Sequence, residues 1–532
     1  MSESPREPMS GVDTAWLRMD TPHNRMVIVG VMIFGSRLSP KRFRGILTER
    51  FLRFDRFRRR PVLEDGGAWW EEDPDFDLSR HLHRAALPGK GGVAELQAFT
   101  SELASSPLDP GKPLWEFHLV ERYGKGSALV LRIHHCYADG IALIRVLLAM
   151  ADDSPRDEGR AAGGAPWWLP FSTAWLDWLT PANGASAALV RWSAAFWRRY
   201  FELLGNPAKA LDYARKGTGI ALEAGRLLAM AKEPETRLRG EPGPVKRAAW
   251  AEPIPLAEVK TLGKQLACSV NDVLLASAAG ALRAYLQHHG DDPDGTDVRV
   301  VVPVNLRPPD EAEDLGNKFG LVFLQLPVGI PSPLERLLTV KQRMQALKTS
   351  AQPLLVLGLL EAAGSAPQLV QQFLVDTLSS HASAVMTNVP GPQRALHVAG
   401  AQITEQMFWV PQAGTVGIGA SILSYDGRVQ FGLIADAKIM PDPDWVAKRF
   451  AREFQVLQKA ARADSAADTA PKAPRRRKQP AAPTGAAAAG TAAKKRSRRK
   501  ASAAAPAAEA PLPAPLTRRR RPAARKRAAG TS

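Results

Sequence analysis

The stretch Ser127-Ala-Leu-Val-Leu-Arg-Ile-His134-His135-Cys136-Tyr137-Ala138-Asp139-Gly140 holds the pattern that decides the fold. Its first eight residues have the apolar and β-branched content of a buried strand. Ile141–Met150 carries apolar residues at helical spacing, so a strand leads directly into a helix. Asp139 stands where a helix N-cap belongs, and Gly140 permits a tight turn. This unit predicts a mixed α/β fold for residues 1–150.

The two adjacent histidines are the strongest chemical signal in the chain. Successive side chains of a strand point to opposite faces, so we expect one ring to face a cleft and the other to pack. A neutral imidazole is well suited to accept a proton from a hydroxyl group. Three other interpretations stay open: a purely structural pair, a metal site using His135 and Asp139, and a thiol nucleophile at Cys136. We expect no metal, because a four-residue spacing needs a helix to converge and these residues straddle a loop.

The composition predicts two domains with additional segments. The chain has 532 residues, 45% of them hydrophobic, and a formal net charge of +18. The last 62 residues hold 18 basic residues and one acidic residue, so the preceding 470, with 53 basic and 52 acidic, are nearly neutral. We divide the chain into an α/β domain at 1–165, a tryptophan-rich helical connector at 166–245, a second α/β domain at 246–463, and a disordered tail at 464–532 rich in Ala, Pro, Lys and Arg.

Regular patterns in the second domain predict its main elements. A helix is expected from Val270 to about Gln287 and another from Asp444 to about Ala463. The predicted strands are Val298–Val304, Leu321–Val328, Val416–Leu423 and Val429–Ile434.

Several classes of protein are disfavoured. Two cysteines, Cys136 and Cys268, make neither a disulfide framework nor a structural zinc site, which favours a reducing compartment. We expect no secretory signal peptide and no transmembrane helix, which needs about 20 mostly apolar residues. A Gly-x-Ser-x-Gly elbow, a phosphate-binding loop and a dinucleotide fingerprint are all absent from the expected settings.

The motif and its neighbours resemble the bacterial wax ester synthase/diacylglycerol acyltransferase family over roughly residues 9–460. His-His-x-x-x-Asp-Gly at 134–140 is accompanied, in the expected order, by further motifs. They are Met9-Ser10-x-x-Asp13, Phe76-Asp77-Leu78 with His81, Pro107-Leu108-Asp109, Pro113-Leu114-Trp115-Glu116, Val270-Asn271-Asp272-Val273, Leu315-Gly316-Asn317, Asn388-Val389-Pro390-Gly391-Pro392, Ser424-Tyr425-x-Gly427, Phe431-Gly432 and Asp436.

This resemblance implies a fold and an activity. The fold would be two chloramphenicol-acetyltransferase-like α/β sandwich domains with a tunnel between them. The activity would be transfer of a fatty acyl group from acyl-CoA to diacylglycerol or a long-chain alcohol, with no resident cofactor. His135 would be the general base and His134 its packed neighbour, supported by Gly140. Asp139 would form a structural pair with an arginine of the second domain, for which Arg307 is the best match.

Three further residues are implied near the substrates: Trp115, Asn271 and Asn388. Turn architecture alone would equally explain the motifs around Trp115 and Asn388. Asn271 is a candidate oxyanion donor, and the alternative is that Asn271-Asp272 serves as a helix cap.

The partners follow from the lipid substrates and the charge. The connector's tryptophans, among them Trp175 and Trp178, together with Arg198 and Arg199 next to Trp197, predict peripheral docking at the cytoplasmic face of the inner membrane or on lipid droplets. The alternative is that these rings bridge the two domains. The basic tail predicts non-specific binding to anionic lipid or nucleic acid. Two alternative functions are a glycerolipid acyltransferase, because His134 and Asp139 fit its His-x-x-x-x-Asp pattern, and a non-catalytic protein that binds polyanions or lipid droplets.

Overall fold

The structure is a computed structural model and describes residues 6–64, 67–152, 230, 233–305, 315–317, 319–348, 350 and 352–469. Statements about contacts and their absence below concern these residues. Most of the predicted connector, including Trp175 and Trp178, lies outside them, as do Arg307 and residues 470–532 of the predicted tail.

The described residues form ten α-helices and sixteen strands. The helices are α1 Gly11–Arg18, α2 Pro40–Ile46, α3 Val93–Ser105, α4 Gly140–Ala149, α5 Leu256–Gln265, α6 Val270–His288, α7 Pro333–Lys348, α8 Gln352–Ser365, α9 Gln368–Ser379 and α10 Pro443–Thr469. The strands are β1 Glu7–Pro8, β2 Val27–Phe34, β3 Arg59–Glu64, β4 Gly67–Glu72, β5 Leu82–Ala85, β6 Trp115–Tyr123, β7 Gly126–His134, β8 Lys246–Trp250, β9 Ile254–Pro255, β10 Val298–Asn305, β11 Phe319–Leu326, β12 Ala384–Pro390, β13 His397–Val398, β14 Ala401–Trp409, β15 Ile418–Tyr425 and β16 Arg428–Asp436.

The first half of the chain is built on a six-stranded sheet with the order β13-β14-β2-β7-β6-β5. Its central strands β2 and β7 are buried along their whole length. Because both faces of these strands are covered, their sequences are nearly continuous apolar runs. Side chains alternate between the two faces of β2. Val29 and Val31 pack with α3 on one side, and Ile28 and Met32 pack in the larger core on the other.

The second half is built on a mixed sheet with the order β11-β10-β12-β15-β16-β8, in which β9 also pairs with β16. Helix α6 is almost entirely buried and packs against this sheet and against the apolar face of α10. At the β8 edge, the Lys246 ammonium lies 2.8 Å from the Asp436 carboxylate, and both side chains are at most 4% exposed. Asp436 also accepts a hydrogen bond from the backbone N–H of Gly243 at 2.8 Å.

Strand β14 crosses from the second half of the sequence into the first sheet. It pairs antiparallel with β2, where Trp409 lies opposite Val29 and Phe408 lies opposite Gly30. A Cβ at Gly30 would come within 2.4 Å of the Phe408 ring, so glycine makes this close approach possible. The division at residue 246 does not anticipate this exchange, because hydrophobic alternation identifies a strand without specifying its sheet.

The elements predicted for the second domain are present with shifted ends. Helix α6 and strand β10 begin at the predicted residues and extend one residue further. Helix α10 runs to Thr469, beyond the expected end at Ala463 and into the segment assigned to the tail. The sequence patterns above assign no element to α5, α7, α8, α9, β8, β9, β12, β13 or β14.

Among the residues described, no individual helix has the length and apolar character needed to cross a membrane. Helices α5 and α6 meet the requirement only when taken together, and they are bent by 101° relative to each other.

Candidate active site

The His-His-x-x-x-Asp-Gly motif lies where β7 ends and α4 begins. The Asp139 side chain accepts a hydrogen bond from the backbone N–H of Ala142 at 2.8 Å, and its backbone is extended. Asp139 is therefore the N-cap of α4, as the sequence predicts. Gly140 is the first residue of the helix, where an added Cβ would find only ordinary contact with Val410 at 3.9 Å. The structure therefore supplies no steric requirement for glycine there.

The rings of His134 and His135 contact different elements, as strand alternation predicts. His134 Nδ1 accepts a hydrogen bond from the backbone N–H of Cys136 at 3.2 Å, so its proton belongs on Nε2, which lies 3.3 Å from an Asp20 carboxylate oxygen. Burial raises the pKa of Asp20, but hydrogen bonds from His134 and Arg25 outweigh burial and hold the pKa below its ordinary value. The His134 ring thus contacts Asp20 and the backbone of Cys136, both in the first half of the chain.

The His135 ring is enclosed by aromatic side chains from both halves of the chain. It stacks on Trp16 of α1 with ring centroids 4.2 Å apart, and Phe319 of β11 lies at 5.6 Å on a tilted plane. The residue is 3% exposed, and Nδ1 is buried without a hydrogen-bond partner among the described residues. Burial lowers the pKa of His135 to about 4, and the charge of Asp139 only partly opposes this effect. The ring is therefore neutral at pH 7, the state that a general base requires.

The main chain of His135 is held on both sides. Its backbone N–H donates to Met26 at 2.7 Å, and its carbonyl accepts from the Asn317 side-chain amide at 2.8 Å. The same amide nitrogen donates to the Asp13 carboxylate at 2.8 Å. Asp13 and Asn317 belong to two of the accompanying motifs, which lie about 300 residues apart in the chain. The two motifs therefore meet beside the main chain of His135.

Asp13 is a buried carboxyl with one nearby cation. Burial raises its pKa, while Arg56, 3.7 Å away, and the hydrogen bond from Asn317 act in the opposite direction. Arg56 also donates to the backbone carbonyl of Tyr137 at 3.3 Å, so the same guanidinium contacts the motif loop. Sequence reasoning did not identify Arg56 or Trp16, because neither stands in a recognisable spacing relative to the histidines.

Asn271 and Asn388 form a second polar pair. Asn271 lies in the first turn of α6, Asn388 lies on β12, and the Asn388 amide donates to the Asn271 side-chain oxygen at 2.5 Å. The oxygen of Asn388 is buried and has no partner among the described residues. Of the two residues considered for the helix cap, Asp272 has this role together with Ser269, since their side chains and backbone N–H groups bond reciprocally at 3.1 and 2.9 Å, whereas the Asn271 side chain bonds Asn388.

Trp115 lies in the core of the first half. It is fully buried, its indole N–H donates to the Phe57 carbonyl at 2.8 Å, and its ring stacks on His81 at 4.3 Å. These contacts are those of a structural side chain, so they do not support the substrate-binding role inferred for Trp115. Cys136 is also fully buried, and burial raises the pKa of its thiol, which disfavours the thiolate needed for nucleophilic attack.

An apolar pocket lies beside α4, lined by both halves of the chain. Helix α4 contributes Ile144, Leu147 and Leu148, and the second half contributes Leu396 and Phe408 among others. Gln406 supplies the only polar side chain of its lining. Such a lining accommodates hydrocarbon without leaving buried polar groups unpaired.

Comparison with known proteins identifies the family. Residues 9–274 match a model described as the wax ester synthase/diacylglycerol acyltransferase catalytic domain, and residues 315–458 match the WS/DGAT C-terminal domain. The chain belongs to this family. It is therefore an acyltransferase, and neither the glycerolipid acyltransferase nor the non-catalytic alternative is favoured.

Curated relatives cover most of the chain. A probable diacylglycerol O-acyltransferase of Mycobacterium tuberculosis strain H37Rv is 28% identical over 459 residues, which are 83% of this chain and 93% of the relative. A putative diacylglycerol O-acyltransferase of the same strain is 26% identical over 473 residues, with 85% and 90% coverage.

Solved structures confirm the predicted two-domain fold. The wax ester synthase/diacylglycerol acyltransferase from Marinobacter aquaeolei VT8 aligns with a TM-score of 0.60 at 22% identity, covering 85% of this chain and 99% of the other. The first condensation domain of the CDA synthetase aligns with a TM-score of 0.54 at 15% identity, covering 86% and 97%. The tunnel, the pair of Asp139 with Arg307, and the domain bounds stay predictions.

Proposed function

We propose that the chain transfers a fatty acyl group from acyl-CoA to the hydroxyl of diacylglycerol or of a long-chain alcohol, with His135 as the general base. The observation that carries this proposal is the environment of the ring: it is neutral at pH 7, stacked on Trp16, and anchored through its main chain to both halves of the fold. These features are those of a preorganised base in a site from which water is largely excluded.

The reaction requires one proton to move twice. The imidazole removes the proton of the acceptor hydroxyl while its oxygen attacks the thioester carbonyl, and collapse of the tetrahedral intermediate expels CoA thiolate. The imidazolium then returns the proton to the thiolate, so the products are an ester and free CoA and no acyl-enzyme forms. A positioned base contributes about 10²–10⁴-fold, so orientation of the two substrates and oxyanion stabilisation must supply the remainder.

The other predicted residues take supporting roles in this proposal. His134 packs against Asp20 and orders the end of β7, and Asp139 holds the start of α4. Asn271 and Asn388 are proposed to contact the reacting groups, since the buried Asn388 oxygen is an acceptor that a substrate hydroxyl would satisfy. The apolar pocket beside α4 is proposed to receive part of a lipid chain.

The test is an assay of purified full-length protein with labelled palmitoyl-CoA. Diolein, hexadecanol and glycerol 3-phosphate are offered as acceptors, and wild type, His135→Ala and His23→Ala are compared. His23 is an exposed histidine outside the site and serves as the matched control. We expect transfer to diolein or hexadecanol by wild type and His23→Ala, with loss in a folded His135→Ala. Near-normal turnover of His135→Ala contradicts the role of the base, and transfer to glycerol 3-phosphate alone contradicts the acceptor class.

We also propose peripheral docking on a cytoplasmic membrane face or a lipid droplet. Helix α9 supports this proposal, because Leu369 and Phe373 are 81% and 69% exposed, one helical turn apart on one face. The helix is joined to α1, which carries Trp16, by a hydrogen bond from the Gln371 side chain to the Ala15 carbonyl at 2.8 Å. An apolar contact surface so close to the candidate site suits water-insoluble substrates.

Liposome co-sedimentation tests the docking surface. Leu369→Ser combined with Phe373→Ser should reduce binding to phospholipid vesicles, whereas Leu338→Ser, at a residue that is 56% exposed on α7, should not. Equal binding of both variants would contradict a role for α9. Varying salt and anionic lipid, with duplex DNA as competitor, would measure the separate contribution proposed for the basic tail.

A further inference from the structure

Three side chains with metal-binding capacity meet on the first sheet, apart from the candidate active site. His83 lies on β5 and His118 lies directly opposite it on β6, in the parallel register that joins these two strands. Glu116 lies two residues before His118, so its side chain projects from the same face of the sheet. The backbone of two paired strands thus fixes all three residues on one surface.

Their terminal atoms are close together. One ligand atom from each of the three side chains lies within 4.8 Å of the other two. His118 Nε2 is 3.1 Å from one Glu116 oxygen, and His83 Nε2 is 4.0 Å from the other. His83 Nε2 is buried and has no hydrogen-bond partner among the described residues. An imidazole nitrogen therefore points into the cluster without any protein group to satisfy it.

We propose that His83, Glu116 and His118 form a binding site for a divalent transition-metal ion, and that zinc is the ion it takes. Two imidazoles and one carboxylate form a ligand set typical of zinc sites that keep one position for water. Zinc bonds of about 2.0–2.2 Å require ligand atoms roughly 3.3–3.5 Å apart in a tetrahedral arrangement. The distances of 3.1 and 4.0 Å from the two imidazoles to Glu116 lie on either side of this range. The rings of His83 and His118 are stacked with centroids 4.8 Å apart, so metal binding requires them to rotate until both nitrogens face one ion.

Arg132 is the cation that bears most directly on this site. Its guanidinium lies 3.3 Å from the Glu116 oxygen that also faces His118, and it donates to the backbone carbonyls of Leu103 and Pro107. The positive charge of Arg132 repels a metal ion at the same Glu116 oxygen. The second Glu116 oxygen faces His83 instead. Arg132 can therefore hold one oxygen of Glu116 while the other binds metal, as hydrogen-bonded partners of ligating carboxylates commonly do.

Metal binding would stabilise the edge of the first sheet. Among the described strands, β5 is terminal in the sheet and pairs only with β6. A metal ion bound by residues of both strands would tie this edge to the body of the domain. No motif spacing in the sequence indicates this cluster, because 33 positions separate His83 from Glu116 and the pairing of β5 with β6 brings them together.

Isothermal titration calorimetry with zinc tests the proposal on full-length protein purified in the presence of a chelator. The variants are His83→Ala and, as the matched control, His23→Ala, which removes an exposed histidine elsewhere. We expect wild type and His23→Ala to bind zinc equally, and His83→Ala to lose one equivalent or to bind it at least about tenfold more weakly. Because the His83 side chain is 40% exposed and its Nε2 makes no hydrogen bond, this variant should remain folded.

Zinc-edge absorption spectroscopy of the loaded wild type supplies a second readout. We expect two imidazole nitrogens among the ligands, falling to one in the remaining zinc of His83→Ala. Absence of zinc binding by wild type overturns the proposal, and so does equal affinity and stoichiometry in His83→Ala. These outcomes are independent of acyl transfer, so they do not depend on the function proposed above.

Discussion

Replacing His135 with glutamine tests the burial of this ring separately from its chemistry. Burial lowers the pKa of His135 from 6.5 to about 4, because the imidazolium loses its hydration among Trp16, Phe319 and the surrounding backbone. In the unfolded chain the same side chain titrates near 6.5. Acid therefore favours the unfolded state, which binds the proton more readily.

The magnitude follows from the two pKa values. At 1.36 kcal/mol per pKa unit, the difference between 6.5 and about 4 corresponds to about 3 kcal/mol. The free energy of unfolding that this group contributes is fully present above pH 6.5. It decreases as the pH falls, and the loss is complete below about pH 4. The variant has no titrating ring at this position, so it lacks this part of the acid sensitivity.

Urea unfolding of full-length wild type and His135→Gln, measured between about pH 7 and pH 4.5, gives the quantity required. We expect wild type to lose about 2.5 kcal/mol more than the variant across this interval. His23→Gln, at an exposed site, should follow wild type. Parallel pH dependence of wild type and His135→Gln would refute the burial argument. Acyl transfer by the variant at pH 7 would separately refute the role as base.

Three further predictions concern two residues at the motif, Asn317 and Asp139, and the buried ion pair at the β8 edge. Asn317→Ala should lower kcat/KM by roughly 10–100-fold in the palmitoyl-CoA assay, because it removes both the bond that holds the His135 main chain and the bond to Asp13; unchanged kcat/KM would contradict it. Asp139→Ala should lower the free energy of unfolding by at least about 1 kcal/mol in urea, whereas the asparagine variant keeps the cap; equal loss in both would exclude capping as the cause. Lys246→Met should cost about 3–5 kcal/mol by the same measurement, because it leaves the Asp436 charge buried without its partner; a cost well under 1 kcal/mol would argue that the pair is not tightly coupled.

The local structure around the motif could be predicted from that stretch of sequence. Strand alternation predicted that His134 and His135 diverge, and the short polar side chain before Gly140 predicted the helix cap at Asp139. These features depend on dihedral preferences and hydrogen bonds among neighbouring residues, which a short stretch of sequence specifies. The motifs that occur in the expected order along the sequence were likewise sufficient to identify the family.

The tertiary structure alone decided which distant residues act together. Asn317 reaches both Asp13 and His135, and strand β14 joins the first sheet rather than the second. Trp115 belongs to a buried aromatic core although its motif suggested contact with substrate. Alternation and propensity identify a strand and its buried face, but the choice of neighbouring strand depends on how surfaces from the whole chain fit together. The low pKa of His135 has the same origin, because it comes from burial by elements more than 100 residues apart in the chain.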